Sequence, residues 1–184
     1  PIPVMAASPA PIDLGLAGTF AVISAAGITN AAFATNITGD MGTSPTLSVT
    51  GFPPGIVNGT IYSGNAGSPA GLARADAGTA YQAAKTAAAA PGFTTVAGNL
   101  VGQGNGVNTS TFLPGRYHST SSLSIDGAAI TLDAQGDPNA VWLFDMESTL
   151  TTTPGGDVTL ANGAQARNVF WRVGTSATLG AAIF

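Results

Sequence analysis

Short runs of alternating apolar and polar residues make up most of the chain, and Gly, Pro, Asn and Asp separate one run from the next. This alternation is typical of β-strands, whose successive side chains point to opposite faces. The pattern therefore predicts a mostly β protein. The candidate strands lie within residues 20–28, 36–57, 94–100, 115–125, 129–132, 141–146, 158–160 and 168–173.

One stretch, about residues 69–90, breaks this pattern and predicts a long α-helix. Ser68 is a suitable N-cap, Pro69 fits the first helical position, and Pro91 prevents continuation. Small residues dominate the stretch, so this helix can lie close to a flat surface but cannot anchor a helical bundle. Helical spacing predicts a buried face made of Leu72, Ala75, Thr79, Ala83, Thr86 and Ala90.

Two segments, residues 140–144 and 168–172, resemble each other when they are aligned position by position. A Thr-Leu pair follows each of them, Thr149-Leu150 and Thr178-Leu179. A weak repeat whose period lies between roughly 20 and 50 residues, with one set of short strands per period, indicates a solenoid. We therefore predict a β-helix whose coils bury Val, Ile, Leu and Phe.

The length of the helix sets an expectation for the coil order. About 22 residues at roughly 1.5 Å each would pass roughly seven strand layers spaced about 4.8 Å apart. The later coils must then return along the stack, so residues 20–28 are expected to pair with the C-terminal coil. We expect a single domain over residues 1–184 with a loose arm at 1–12. Residues 181–184 continue an apolar run, which suggests an incomplete last coil.

Charged residues are scarce in this chain, and their scarcity limits which partners it can bind. Only 8% of the residues are charged, against roughly 25% in ordinary soluble proteins, whereas there are 23 Thr and 13 Ser. A net charge of −4 with five basic residues offers no basic surface, so we expect neither nucleic acid nor a membrane as partner. Hydroxyl groups replace charges on the predicted surface.

Cysteine is absent, which excludes a disulfide framework and a thiolate metal site. No signal peptide is visible at the N-terminus, so any secretory signal would have been removed or left out. Three sequons, which begin at Asn36, Asn58 and Asn108, are possible N-glycosylation sites. They are compatible with a secreted, extracellular protein.

Six segments make the sequence resemble a known family. They include Leu-Gly-Leu-Ala-Gly at 14–18, Asp-Ala-Gly-Thr-Ala-Tyr at 76–81 and Leu-Pro-Gly-Arg-Tyr at 113–117, and the others are residues 39–45, 132–144 and 163–171. Together and in this order they resemble the microbial ice-binding (antifreeze) proteins, which are β-solenoids flanked by one long helix. The resemblance covers most of the chain.

The resemblance implies a right-handed, triangular β-helix with coils out of sequence order and the α-helix packed alongside. It also implies a protein that adsorbs to growing ice, inhibits its growth and recrystallisation, and depresses the freezing point. No enzymatic activity and no cofactor are expected, the partner is ice or ordered water, and we expect a monomer. Family members continue for one or two further coils, so this sequence departs from the family pattern at its closing coil.

Ice is an uncharged lattice of water, so its receptor should be flat, rigid and weakly hydrated. A β-helix side presents ranks of side chains about 4.8 Å apart, and Thr, Ser and Ala offer hydroxyls and methyls with little rotamer entropy. The alternative is that these hydroxyls only solubilise an outer β-face. The candidate ice-binding residues are Ser24, Ala26, Ser119, Ser121, Thr149, Thr175 and Thr178.

Other chemistry is weighed against this interpretation. His118, the single histidine, has no carboxylate at helical ligand spacing and is interpreted as a surface residue. An acid/base pair, as in polysaccharide-cleaving β-helices, would have to come from Asp126, Asp133, Asp137, Asp145 and Glu147, which mostly occupy turn contexts. The Gly-rich segment 102–106 lacks the Lys of a phosphate-binding loop. The alternative functions are therefore a carbohydrate-binding or carbohydrate-cleaving β-helix and a structural adhesin module.

Overall fold

The computed structural model describes residues 8–31 and 35–180, and they form two compact units. The smaller unit comprises the described residues of Asp13–Ala83, and the larger unit comprises those of Pro1–Ile12 together with those of Ala84–Phe184. Within these described residues, no helix is both long and apolar enough to cross a membrane.

The smaller unit begins with a short 3₁₀ helix, Gly15–Thr19, and continues as seven short strands. These strands are β1 (Phe20–Ser24), β2 (Ile28–Thr29), β3 (Asn36–Thr38), β4 (Asp40–Thr43), β5 (Val49–Thr50), β6 (Ile56–Asn58) and β7 (Ile61–Ser63). Strands three apart in sequence pair in parallel, which gives the sheets β1-β4-β7, β2-β5 and β3-β6. The chain therefore winds around three sides, which we call the first, second and third side of each coil.

The larger unit repeats this arrangement with eleven strands. They are β8 (Thr94–Thr95), β9 (Gly98–Asn99), β10 (Thr111–Phe112), β11 (Gly115–Ser119), β12 (Leu123–Ile125), β13 (Ile130–Asp133), β14 (Trp142–Met146), β15 (Leu150–Thr152), β16 (Val158–Ala161), β17 (Val169–Val173) and β18 (Ala177–Leu179). A 3₁₀ helix, Ala166–Asn168, precedes β17. The first side is β8-β11-β14-β17, the second is β9-β12-β15-β18 and the third is β10-β13-β16, all paired in parallel.

Register fixes which side chains point inward in the larger unit. On the first side, Trp142 pairs with Val169, and Phe144 pairs with Trp171. The predicted alignment of residues 140–144 with residues 168–172 would instead pair Trp142 with Phe170, so it is wrong by one position. This matters because a shift of one residue moves every side chain of a strand to the opposite face.

The core of the larger unit is built from aromatic residues stacked between coils. The rings of Tyr117, Phe144 and Trp171 come from register-paired positions on three successive strands, with centroids 5.0 and 4.2 Å apart. Trp142 is fully buried, and its indole Nε1 donates a hydrogen bond to the Phe112 carbonyl over 3.1 Å. Burial also raises the pKa of Tyr117, so its phenol stays neutral inside the coil. The predicted burial of Phe inside the coils is confirmed for Phe112 and Phe144.

The predicted helix is confirmed as α1 (Pro69–Ala89). Ser68 caps it, because its hydroxyl accepts a hydrogen bond from the Gly71 N–H over 3.1 Å. The predicted buried face is wrong, however, since Leu72 is 47% exposed and Ala83 is exposed. The face that is buried consists only of small residues at helical spacing, namely Ala70, Ala73, Ala80, Ala84 and Ala88.

In the smaller unit, glycines allow the start of α1 to lie close to its neighbours. A Cβ on Gly42 of β4 would lie 3.2 Å from the Cβ of Ala70. The Leu16 N–H donates a hydrogen bond to Asp76 Oδ2 over 2.8 Å, and a Cβ on Gly15, whose φ is +51°, would lie only 2.5 Å from that oxygen. These contacts join two of the segments that carry the family resemblance.

In the larger unit, the end of α1 packs on the first side. Ala84 and Ala88 form a buried cluster with Leu143, and Phe170, the register partner of Leu143, packs against it. Arg116 lies in the same row and donates a hydrogen bond from Nη1 to the Ala87 carbonyl over 2.8 Å. A cation is thereby placed at the carbonyl end of the helix, where it is electrostatically favourable.

Three further expectations concern the ends of the chain. The arm is not loose over its described part, because the Ser8 hydroxyl accepts a hydrogen bond from the Val141 N–H over 2.8 Å and Ile12 packs on the helix cluster. The pairing of residues 20–28 with a C-terminal coil and the incomplete last coil involve residues 181–184, which lie outside the described residues. Both remain predictions, as does the single domain.

Candidate functional site

The outer surface of the second side in the larger unit is an ordered array of hydroxyl groups. Leu123, Ile125 and Leu150 of this sheet point inward and are buried. The residues between them point outward. In the central row, Asn99, Ser124, Thr151 and Thr178 are consecutive register partners on β9, β12, β15 and β18.

A second row runs beside the central one, just before each strand begins. It consists of Ser122, Thr149 and Ser176, because the residues that follow them, Leu123, Leu150 and Ala177, are register partners. The Thr149 hydroxyl donates a hydrogen bond to the Ser122 hydroxyl over 2.8 Å. This contact restricts the rotation of both side chains.

Just after the strands, a third row, which consists of Asp126 and Thr153, borders the two rows described above. The Thr153 hydroxyl donates a hydrogen bond to Asp126 Oδ1 over 2.5 Å. Asp126 is the one charged residue in the three rows within the described part of the chain. We call the hydroxyl residues of the first two rows, Ser124, Thr151 and Thr178 with Ser122, Thr149 and Ser176, the hydroxyl array, and Asn99 continues the central row with an amide.

The array combines regular spacing with available hydroxyls. Neighbouring strands repeat about every 4.8 Å, and residues two apart on a strand lie about 6.7 Å from each other. Among the described residues, the hydroxyls of Ser124, Thr151 and Thr178 make no hydrogen bond to another protein group, so they are available to water. Such a surface can order water in a repeating pattern.

The smaller unit carries a comparable pair on its own second side. Thr29 and Thr50 are register partners on β2 and β5, and both are exposed. The Thr50 hydroxyl donates to the Thr29 hydroxyl over 3.2 Å. Their neighbours Ile28 and Val49 point inward, so this strand pair has the same division into an apolar inner and a hydroxyl outer face.

The predicted site residues fall into several places. Thr149 and Thr178 belong to the hydroxyl array, while Ser121 and Thr175 lie at the bends that lead into it and are exposed. Ser119 is only 1% exposed, and its hydroxyl accepts a hydrogen bond from the Ser121 N–H, so we remove it from the candidate surface. Ser24 and Ala26 lie in the smaller unit at the end of β1, where the Ser24 hydroxyl accepts a hydrogen bond from the Ala26 N–H.

Several members of these rows were missed by the sequence prediction, namely Ser122, Ser124, Thr151, Thr153 and Ser176. The strand register finds them, because positions 124, 151 and 178 form one series and positions 122, 149 and 176 form another. Equating the two Thr-Leu pairs placed Thr149 and Thr178 in one row, although they belong to different rows. Thr149 is aligned with Ser176, and Thr178 with Thr151.

Of the acidic residues considered for acid/base chemistry, two, Asp145 and Glu147, are engaged in ion pairs on the first side. His118, Asp145 and Arg172 are register partners, and His118 Nδ1 lies 2.6 Å from Asp145 Oδ2. Arg172 donates to Asp145 from Nε and to Glu147 from Nη2, and Lys85 of α1 lies 3.8 Å from Glu147. We call these five residues the ion ladder. His118 is 19% exposed, so it is mostly covered rather than the surface residue predicted.

The remaining candidate groups have structural roles. Asp133 Oδ1 accepts hydrogen bonds from the Gln135 N–H and the Asn162 side chain, and Asp137 Oδ1 accepts one from the Asn139 N–H. The contacts to the Gln135 and Asn139 N–H groups are turn geometry, as the sequence predicted, whereas the Asn162 contact links two successive coils. Within the described residues, no group of three or more His, Cys, Asp and Glu side chains is arranged to hold a metal ion.

The possible glycosylation sites are accessible. Asn36 and Asn58 lie exposed on β3 and β6 of the third side, and the Asn58 amide donates to Asn36 Oδ1 over 2.7 Å. Asn108 is exposed in the loop before β10, where its Oδ1 accepts hydrogen bonds from the Ser110 N–H and the Thr111 hydroxyl. Thr131 lies on the third side of the larger unit, away from the hydroxyl array.

A parallel β-helix with a long helix of small residues, and with an uncharged hydroxyl array on one side, defines a narrow class of proteins. The family model described as Ice-binding-like matches residues 22–183. The chain therefore belongs to this family, which confirms the predicted resemblance and the predicted fold class of a mostly β parallel β-helix. The family consists of ice-binding proteins and not of enzymes, in agreement with the expectation of a non-catalytic protein.

Individual relatives agree with the family assignment. An ice-binding protein of Nostoc sp. (strain HG1) is 41% identical over 91% of this chain and 57% of its own length. An ice-binding protein of Flavobacterium frigoris (strain PS1) is 34% identical over 92% of this chain and 61% of its own length. The chain thus spans about three fifths of the length of these two curated relatives.

Solved structures show the same fold. The crystal structure of an ice-binding protein from an Antarctic biological consortium superposes with a TM-score of 0.82 at 43% identity, covering 97% of this chain and 76% of that one. The ice-binding protein of the Antarctic ascomycete Antarctomyces psychrotrophicus gives a TM-score of 0.80 at 38% identity, covering 93% and 78%.

Proposed function

We propose that this protein binds ice through the hydroxyl array on the second side of its larger unit, and thereby inhibits ice growth and recrystallisation. The observation that carries the proposal is the row of Ser124, Thr151 and Thr178, which stand in register on successive strands with their hydroxyls open to water. Membership of the Ice-binding-like family and the named relatives support ice as the partner.

The physical basis is the match between a regular surface and a regular lattice. An uncharged lattice offers no counter-ion, so a charged receptor would have to lose its hydration without compensation. Hydroxyls and methyls on short, stiff side chains hold water without that cost and lose little rotamer entropy on contact. Many weak contacts in one plane then add up to stable adsorption, and the ice front curves between adsorbed molecules, which lowers the freezing point.

The first side is unsuited to this role. In the larger unit it carries the buried cluster of Ala84, Ala88 and Leu143, and next to that cluster lies the ion ladder. Its charged side chains are engaged with each other, so they present neither a flat nor an uncharged area. Among the described residues of the larger unit, the second side combines in-register hydroxyls with an unobstructed outer surface.

The experiment is growth of a single ice crystal in a supercooled drop that contains the protein, with measurement of the gap between melting and freezing temperatures. Faceted crystals and a measurable gap at micromolar concentration are expected. Disc-shaped crystals with no gap, in a sample whose β-structure is verified by circular dichroism, would refute the proposal. Such a result would favour a carbohydrate-binding or adhesive role instead.

The proposal extends to the state and place of the protein. We infer a monomer, because adsorption to a surface requires no second subunit, and light scattering after size-exclusion chromatography tests this. We also infer secretion, because ice forms outside cells and the sequons at Asn36, Asn58 and Asn108 are exposed. Recovery of the protein from culture medium rather than from cells of its source would support secretion, and recovery from cells alone would contradict it.

A further inference from the structure

Asp126 interrupts the uncharged character of the second side at one border. It follows β12 in the same alternation that points Ser122 and Ser124 outward, and it is exposed. The next coil places Thr153 beside it, and the Thr153 hydroxyl donates to Asp126 Oδ1 over 2.5 Å. The charge is thus fixed in position beside the hydroxyl array.

The backbone of Asp126 is fixed as well. Its N–H donates a hydrogen bond to Asn99 Oδ1, and its carbonyl accepts one from Asn99 Nδ2, both over 3.1 Å. Asn99 belongs to the preceding coil, and Thr153 belongs to the following one. Asn99 therefore holds the backbone of Asp126 and Thr153 holds its carboxylate, so the charge stays beside the array.

An ionised carboxylate orients its nearest waters toward itself, and it is costly to remove from water without a partner. On the second side, the described residues supply no cation to offset that cost, because the other positions of the three rows are uncharged. We propose that Asp126 marks the limit of the ice-contacting area, which confines contact to the hydroxyl array. This inference rests on the proposed ice-binding function.

The proposal predicts that removing the charge of Asp126 increases the ice-binding activity of the protein. Asp126→Asn removes the charge and keeps a side-chain oxygen that can accept from Thr153. The matched control is Asp137→Asn, which changes the net charge equally, from −4 to −3, and keeps the acceptor for the Asn139 N–H at a turn outside the array. Ser124→Asp makes the opposite change, since it places a carboxylate in the central row.

The measurement is the thermal hysteresis of the four proteins at equal molar concentration, with their melting temperatures as a check on folding. We expect the hysteresis of Asp126→Asn to exceed that of the wild type, that of Asp137→Asn to equal it and that of Ser124→Asp to fall below it.

An unchanged or lower value for Asp126→Asn, in a background where the wild type arrests ice, overturns the inference and leaves the proposed function intact. An equal rise in both Asn variants also overturns it, because net charge would then be the cause. If Asp126→Asn does not fold, undiminished hysteresis of Ser124→Asp overturns it, and a wild type without hysteresis overturns both proposals.

Discussion

Ala84 of α1 and Leu143 of β14 pack in one buried cluster, with 6% and 1% of their surfaces exposed. The adjacent residue, Ala83, is exposed. Two neighbouring alanines of one helix therefore have opposite environments, because successive residues are separated by about 100° around the helix axis.

Ala84→Glu should destabilise the protein. A carboxylate at this position would be buried against Leu143 without a partner, at a cost of about 2–4 kcal/mol. Thermal unfolding followed by circular dichroism measures this change. Ala83→Glu is the matched control, for which the change should stay within about 0.5 kcal/mol. Equal losses in both variants would show that the buried face of the helix has been misassigned.

The ion ladder should contribute to stability through its buried members. In Asp145→Asn the Arg172 guanidinium, whose side chain is 2% exposed, loses its buried counter-ion, and we expect a loss of about 3 kcal/mol in the free energy of unfolding. Urea denaturation measures it. Lys85→Met removes the exposed end of the ladder, where the side chain is 52% exposed, and should cost less than about 1 kcal/mol. A larger effect of Lys85→Met than of Asp145→Asn would contradict this ranking.

Gly42 should be required for the close approach of α1 in the smaller unit. A Cβ there would lie 2.7 Å from Ile23 Cδ1, 2.8 Å from Phe20 Cε1 and 3.2 Å from Ala70 Cβ. Gly42→Ala forces these groups apart and should cost about 1–3 kcal/mol, measurable as a lower melting temperature. Gly67→Ala, where a Cβ meets nothing within 4 Å, is the control and should be nearly neutral. If both variants melt like the wild type, the helix does not depend on Gly42.

The ends of the helix were predictable, whereas its buried face was not. Ser68, Pro69 and Pro91 act through local backbone chemistry, which a sequence displays directly. The buried face depends on what packs against the helix, and alanines lie on every side of it. Leu72 is the one large aliphatic residue in α1, and it suggested a face that the structure leaves exposed.

The sequence predicted an outer surface of Ser and Thr, and only some of the residues that form the hydroxyl array were among the predicted ones. Hydroxyl-rich composition and short strands indicate an outer Ser and Thr surface, and Thr149 and Thr178 do lie on the hydroxyl array. Which residues form one row depends on the register between strands of successive coils, and that register places Ser124, Thr151 and Thr178 in one row. The Thr-Leu pairs suggested a different alignment, so Ser124 and Thr151 were missed.

The central claim is tested most directly by the thermal hysteresis of Thr178→Tyr compared with Thr131→Tyr at equal concentration. Thr178 is exposed in the central row of the hydroxyl array, and a ring there breaks the flat surface without entering the core. Thr131 points outward on the third side. Both variants should stay within about 0.5 kcal/mol of the wild type in stability. We predict that Thr178→Tyr loses most of the hysteresis and that Thr131→Tyr keeps it, whereas equal loss in both, or full activity of Thr178→Tyr, would contradict the assignment of the second side as the ice-binding surface.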